Sequence, residues 1–474
     1  MSSSSLRNAP GPRSLSPFGS LPSIQRDPLS TFLKGRADYG DVVRYRGGIW
    51  HAYLVSHPDY IKHILQDNNQ NYLKGFSYQV LKPVLGQGLL TNDGESWLTQ
   101  RRLAQPAFHR ARIERISGVM LDSIAGMLRR WEERHDPEAP VDVLPEMIRL
   151  TLEIVSRTLL GVELGREADE VGRAVSELQG HVNYRATHLF SLAEKYPTPR
   201  NRRFHRWLSL LDAIVYRIID QHRSGQSDRD DLMSMLLHAR DEDTGEGMSD
   251  PQLRDEVMTI FLAGHETTAN ALTWTWFLLS QHPEAEERLH REIDVVLAGR
   301  APEYSDLANL SYTRMAIEES MRMYPPAWAI GRFAIGEDAV GGYRIPAGAQ
   351  VVMSPYVTHR HPEFWDRPDE FDPERFTPAR AAGRPRFAYF PFGGGPRMCI
   401  GADFAMIEAQ LALAVIAQCY RLRLVAGHRV EPEALVTLRT RFGMHMRLEP
   451  RMPQLGPRSA PALAGRLKQP LSGE

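Results

Sequence analysis

Apolar residues recur at three- and four-residue spacing through most of the chain, the period of a helix with one buried face. Such stretches run through Ile113–Glu132, Val141–Leu160, Phe204–His222, Gln252–Gln281, Ala285–Leu297, Tyr312–Met323 and Ala402–Gln418. The longest is punctuated at both ends: Asp250-Pro251 supplies a cap and a proline suited to a first turn, and His282-Pro283 stops it. Runs of strand character are few and short: Val42–Tyr45 with His51–Val55, Tyr343–Pro346 and Ala349–Met353, and Leu422–Leu424 with Met444–Leu448. The pattern predicts a mainly α fold with small peripheral β-sheets. A doubly wound sheet does not fit, and no G-x-G-x-x-G turn follows a strand.

The two ends read differently from the middle. Residues 1–35 are polar and proline-rich, and residues 451–474 show no periodicity and read as a loose tail. Between them neither an internal repeat nor a Gly/Ser linker appears, although 474 residues would suggest about three domains by length alone.

Composition narrows the function. Apolar residues at 42% exclude disorder for the bulk of the chain. Lys+Arg 57 against Asp+Glu 58 leaves a net charge of −1, without the basic field that a nucleic-acid binder needs. The basic residues are nearly all arginine, lysine standing only at Lys34, Lys62, Lys74, Lys82, Lys195 and Lys468. Met1–Ser20 has no apolar core of a signal peptide, and the best long candidate, Val257–Leu279, is broken by Gly264, His265, Glu266 and several threonines. The expectation is a cytoplasmic protein without a membrane anchor. Only 2 cysteines, Cys399 and Cys419, rule out a disulfide scaffold and a multi-cysteine metal site.

One of those cysteines has unusual company. Phe392-x-x-Gly395-x-Arg397-x-Cys399-x-Gly401 leads directly into the helical stretch from Ala402. Gly393, Gly394, Gly395 and Gly401 allow a tight turn that points backbone N–H groups at a sulfur. The following helix N-terminus and Arg397 both favour a thiolate. Cys419, in the apolar run AVIAQCYRL, reads as core.

The Cys399 loop resembles the heme-binding loop of the cytochrome P450 family, in which a cysteine thiolate ligates heme iron. Three further patterns in family order support the resemblance. The first is Ala263-Gly264-His265-Glu266-Thr267-Thr268, midway along the longest helix. The second is Glu319-x-x-Arg322 followed by Met323-Tyr324-Pro325-Pro326, with Pro373-Glu374-Arg375-Phe376 downstream. The third is Gly94 to Arg101, in which Trp97 and Arg101 lie one helical turn apart. Together these matches run from about Asp41 to Leu448. They imply the cytochrome P450 fold as a single large domain over 36–450.

The resemblance also implies roles. Cys399 would be the axial ligand of heme b (Fe-protoporphyrin IX), shielded by Phe392, with Gly401 in the same loop. Arg397, Trp97, Arg101 and Arg332 would meet the heme propionates. Ala263 and Gly264 would leave room for dioxygen, and Glu266 with Thr267 would deliver protons. Glu319, Arg322 and Arg375 would form a structural network. A bulky, apolar lining of Phe76, Tyr78, Leu81, Leu85, Phe261, Leu262, Trp328, Ile330 and Phe442 would suit a terpenoid, fatty acid or steroid. The Val175–Leu192 stretch is expected nearby.

The activity so implied is a monooxygenase that inserts one atom of O2 into a hydrophobic small molecule. Its NAD(P)H-derived electrons would come from a separate ferredoxin or flavodoxin with its reductase. Arg101, Arg102, His109, Arg110, Arg112 and Arg115 would offer that donor a basic face, and the protein is expected to be a monomer. Two alternatives are a peroxide-using or rearranging heme-thiolate enzyme, against which Glu266-Thr267 argues, and a non-enzymatic heme-binding protein.

Overall fold

Each of the periodic stretches folds as a helix: Arg110–Glu132, Val143–Thr158, Pro199–Arg223, Asp250–Gln281, Pro283–Leu297, Ser311–Met323 and Ala402–Cys419. The computed structural model describes residues 6–451 apart from 15, 48–49, 135, 137, 164–167, 189–192, 225–230, 241–244 and 246. Helices Phe76–Leu85, Gly94–Ala104 and Ala168–Thr187 join them. Asp250–Gln281 is the central helix, packed along Val143–Thr158 and also against Ser311–Met323 and Ala402–Cys419. It is buried on almost every side, as a helix crossing the interior must be. Ser249 takes its cap position and Asp250 its first turn, one residue earlier than the sequence suggested. Ala402–Cys419 is long and apolar enough to cross a membrane, but 78% of it is buried inside the protein, where its alanines let neighbours approach closely.

A five-stranded sheet flanks the helices, in the order Val42–Gly47, Trp50–Val55, Gln350–Met353, Ile330–Ala334, Tyr72–Lys74. Its last pairing is antiparallel and sets Lys74 opposite Arg332. The expected pair near the C-terminus is present, with Leu422 opposite Leu448 and Leu424 opposite Met446. The runs around 343 and 350 fall in different sheets: Tyr343–Ile345 pairs with Asp338–Val340 and with Arg7–Asn8. A short hairpin, Pro432–Ala434 with Leu438–Thr440, has no counterpart among the sequence expectations. Trp274 of the central helix donates from its indole to the Leu438 carbonyl at 3.1 Å and stacks on Tyr324, ring centroids 4.0 Å apart.

The polar N-terminal segment is docked on this body where it is described. Helix Pro28–Tyr39 runs across the expected boundary at residue 35 and buries Leu29 and Phe32. At the other end Arg451 pairs with Asp294, and 452–474 lie outside the described residues. Cys419 is half-buried at the end of its helix, and burial pushes its thiol up to about 12.

Glu319, Arg322 and Arg375 meet in the interior. Arg322 donates to both carboxylate oxygens of Glu319, at 2.6 and 2.8 Å, and Arg375 reaches the same carboxylate at 3.2 Å. The remaining guanidinium N–H groups go to backbone carbonyls, among them His359 at 3.0 Å and Pro368 at 2.7 Å. Every charge here is met by a partner in fork geometry.

Candidate functional site

The loop from Phe390 to Gly401 is held by its own backbone. Gly393 N–H donates to the Phe390 carbonyl at 2.9 Å, and Cys399 N–H to the Phe392 carbonyl at 2.9 Å. Gly395 has φ +67°, and a side chain there would collide with the Leu65 carbonyl, so the close approach demands glycine. Arg101 donates to the Met398 carbonyl at 2.9 Å, one residue from the cysteine. The Gly401 N–H bonds to the thiol as helix Ala402–Cys419 begins. Burial pushes the Cys399 thiol up, and the Gly401 N–H and Arg101 charge pull it back. Protein surrounds Cys399, yet its own surface is bare. It therefore opens onto interior space instead of packed side chains.

Positive charge gathers beside this loop. Lys74 and Arg332 are buried opposite one another in the sheet. Arg397 stacks over Trp97 at 4.4 Å and pairs with Asp93 at 2.6 Å. Arg332 is satisfied only locally, by the Gly331 carbonyl at 2.9 Å, and has no carboxylate partner among the described residues. Lys74 donates to the Leu89 carbonyl at 2.8 Å, and its ammonium is brought down to about 7 by burial and by Arg397. The second carboxyl near Lys74, Glu256, is itself pushed up to about 7 by burial. Three cations thus face one dependable carboxylate. Buried charge of one sign is costly unless an anion completes it.

Away from its two ends, the central helix has its bare surface in a short stretch. Ala263 is exposed midway along a helix whose neighbours are buried, and Thr267, one turn on, is half-exposed. Thr267 donates to the Ala263 carbonyl at 2.8 Å, and Thr151 to the His265 carbonyl at 2.7 Å. Glu266 is buried, and burial pushes its carboxyl above the usual range. Its Oε2 accepts from Gln179 Nε2 at 2.6 Å. Gly264 faces helix Val143–Thr158: a Cβ there would meet a Val155 methyl at 3.0 Å, a tight contact that the neighbour would have to yield to.

The structure brings together some sequence candidates and separates others. Cys399, Phe392, Gly401 and Arg101 share the loop, while Arg397, Trp97 and Arg332 share the cation group. Trp97 and Arg101 make different contacts: Trp97 lies under Arg397 and Arg101 braces the loop. Leu85 and Phe261 are buried core, with Leu81 and Leu262 packed on the same cluster. Tyr78 lies by Lys74, its ring 5.8 Å from the ammonium, and Phe76 is exposed.

Three residues expected in the lining have other surroundings. Trp328 turns into a core with Phe32, Val43 and Leu54 and donates to the Leu435 carbonyl at 2.8 Å. Ile330 belongs to a second core with Phe387 and Phe390, its tip against Gly393 of the cysteine loop. Phe442 is exposed beyond the hairpin, under the Arg429 guanidinium at 5.1 Å. The hairpin turn approaches with Val436 and Thr437 instead. Asn183 accepts the Val436 N–H at 2.9 Å, and Thr437 hydrogen-bonds the Glu266 carboxyl. The end of the Val175–Leu192 stretch, 189–192, lies outside the described residues.

Lys74, Gln179 and Thr437 were absent from the sequence candidates. Lys74 carried a signal, being one of few lysines in an arginine-rich chain, beside Gly75. Gln179 fell inside the expected Val175–Leu192 stretch without being singled out, and Thr437 had no signal, because only the tertiary fold brings them to Glu266.

A bare thiol with cations gathered nearby suits a cofactor that combines a metal centre with carboxylates, and heme is such a molecule. The chain belongs to the cytochrome P450 family, whose model matches residues 9–443. It is 40% identical to cyclooctatin synthase of Streptomyces melanosporofaciens, over 94% of this chain and 96% of that protein. Cyclooctat-9-en-7-ol 5-monooxygenase of the same organism is 36% identical, over 88% of this chain and 90% of its own. Pentalenene oxygenase of Streptomyces avermitilis is 37% identical, over 91% and 94%. The protein is a cytochrome P450 monooxygenase: it uses heme with a cysteine thiolate ligand, O2, a hydrophobic substrate and electrons from redox partners.

Proposed function

We propose that heme b is held at Cys399 and that the enzyme hydroxylates a carbocyclic terpenoid. The bare Cys399 thiol, bonded by the Gly401 N–H, carries the reading of the ligand. Lys74, Arg332 and Arg397 with Trp97 are the groups suited to the propionates, because Asp93 is the one dependable carboxylate that answers their charge among the described residues. Bound there, heme supplies the activation of dioxygen. The protein's own part is to hold that thiolate, keep the site dry and manage protons. Glu266, whose carboxyl burial pushes above its usual range, and Thr267, whose hydroxyl sits beside the exposed Ala263, are the groups for the last task.

The substrate class is supported by the apolar residues around the central helix and by the relatives' names, an oxygenase of pentalenene and a monooxygenase of cyclooctat-9-en-7-ol. For the electron donor, an acidic ferredoxin fits best, in the cytoplasm and with this chain as a monomer. Arg102, His109, Arg110 and Arg115 are exposed near the loop. Beside them a cleft of about 230 Å³ is lined by Arg314, Arg386, Phe392, Met398 and Asp403.

The test is spectroscopic. Cys399→Ala should abolish the thiolate-type Soret band of the ferrous–CO complex, and survival of that band would refute the ligand assignment. Pentalenene and related cyclic alkenes should shift the ferric heme from low to high spin, whereas a stronger response to fatty acids would overturn the terpenoid reading. Reduction by a ferredoxin should slow as salt rises from 50 to 500 mM, chosen to span about 14 to 4 Å of screening length.

A further inference from the structure

We propose that Gln179 is a positioning residue for Glu266: its amide fixes where that carboxyl points and how readily it releases its proton. The inference rests on the reading of Glu266 as the proton-handling acid. Gln179 lies on helix Ala168–Thr187, remote in sequence from the central helix, and donates to Glu266 Oε2 at 2.6 Å. One turn further along the same helix, Asn183 accepts the Val436 N–H at 2.9 Å. Thr437, next in that hairpin, hydrogen-bonds the same carboxyl and is itself held by Asn270 at 3.1 Å. Glu266 is thereby suspended between two elements that both border the central helix, while Thr267 donates to its own helix carbonyl.

The charged and titratable surroundings leave few other influences. Arg439 of the hairpin acts on the carboxyl through its charge and is paired with Glu433 at 3.1 Å. From helix Ala168–Thr187, His181 stacks on Phe204 near Glu194. His265 of the central helix is bonded to the Phe261 carbonyl at 2.7 Å, and Glu408 of helix Ala402–Cys419 approaches Thr268 instead. Helix Val143–Thr158 brings Thr151 to the His265 carbonyl. An amide donor to a buried carboxylate favours the charged form, by about one pH unit or more for a bond of this kind.

The experiment uses the ferric holoenzyme with four side chains at this position: the native glutamine, Gln179→Lys, Gln179→Met and Gln179→Glu. The Glu266 carboxyl is titrated by infrared difference spectroscopy, its band assigned by loss in Glu266→Gln. Each variant is first checked for an unchanged ferrous–CO spectrum. The expected midpoints rise in the order Lys, Gln, Met, Glu, with about one pH unit between Gln and Met. Midpoints that coincide, or that follow side-chain size and not donor character, would overturn the inference. The pH profile of hydrogen peroxide released per NAD(P)H oxidised, with a ferredoxin supplying electrons, separates the two claims. A profile that moves with the midpoints supports both. Midpoints that move under an unmoved profile keep Gln179 as the positioning residue and refute proton delivery by Glu266.

Discussion

Two buried clusters of charge differ in how their signs balance. Around Glu319, each guanidinium fork meets a carboxylate or a backbone carbonyl, and the cluster is closed. Around Lys74, Arg332 and Arg397, the cations crowd one another and Asp93 alone answers them reliably. A closed cluster locks packing. An open one marks the place where something else completes the charge, and here that completion falls beside the only bare thiol described.

The sharpest way to test the contrast is to open the closed cluster. Glu319→Gln leaves Arg322 and Arg375 buried beside a neutral amide and should cost about 3–5 kcal/mol in urea unfolding. The loss should be equal with and without heme. A loss confined to the heme-bound form would erase the distinction.

Next in size is the acid beside the open cluster. Glu256 sits near 7 in the folded protein against an ordinary 4.5, so the native state holds the extra proton between those values. Stability should therefore fall by up to about 3 kcal/mol as pH rises from 4.5 to 7, and Glu256→Gln should flatten that fall. Unfolding curves across the range report it; parallel profiles would contradict the burial argument.

Lys74→Met should act in the opposite sense to a structural change. The ammonium is brought from 10.5 to about 7, so the unfolded chain binds more protons between those values and stability rises with pH there. Losing the lysine should remove that rise and leave the apoprotein at least as stable at neutral pH. Heme transfer to an apoglobin acceptor should meanwhile quicken about tenfold, or about 1.4 kcal/mol. Unchanged heme retention would count Lys74 out of the anion site.

The smallest effect is expected at Phe442. Exposed under the Arg429 guanidinium, it should tolerate Phe442→Ala within about 0.5 kcal/mol, with substrate-induced spin shifts unaltered.

These contrasts also show what a sequence can disclose. The helices were legible because each buries a stripe at constant period, and the Cys399 loop because glycines, arginine and cysteine sit within a few residues of one another. Lys74 beside Arg332 was not, since their pairing depends on sheet order between distant strands. That Trp328 packs with Phe32 and Ile330 with Phe387 was not legible either, since no local pattern says which distant elements cover a short strand. The close approach of Val155, on another helix, to Gly264 was not legible in the sequence.

The pairing of Tyr72–Lys74 with Ile330–Ala334 also bears on the order of events in the cell. Lys74 leaves the ribosome early, Arg332 late, and Arg397 and Cys399 later still. No partial chain can present the cations and the thiol together, because their partners do not yet exist. Heme capture at the proposed site would therefore follow synthesis of Cys399, and a nascent chain that ends short of it would lack the thiol.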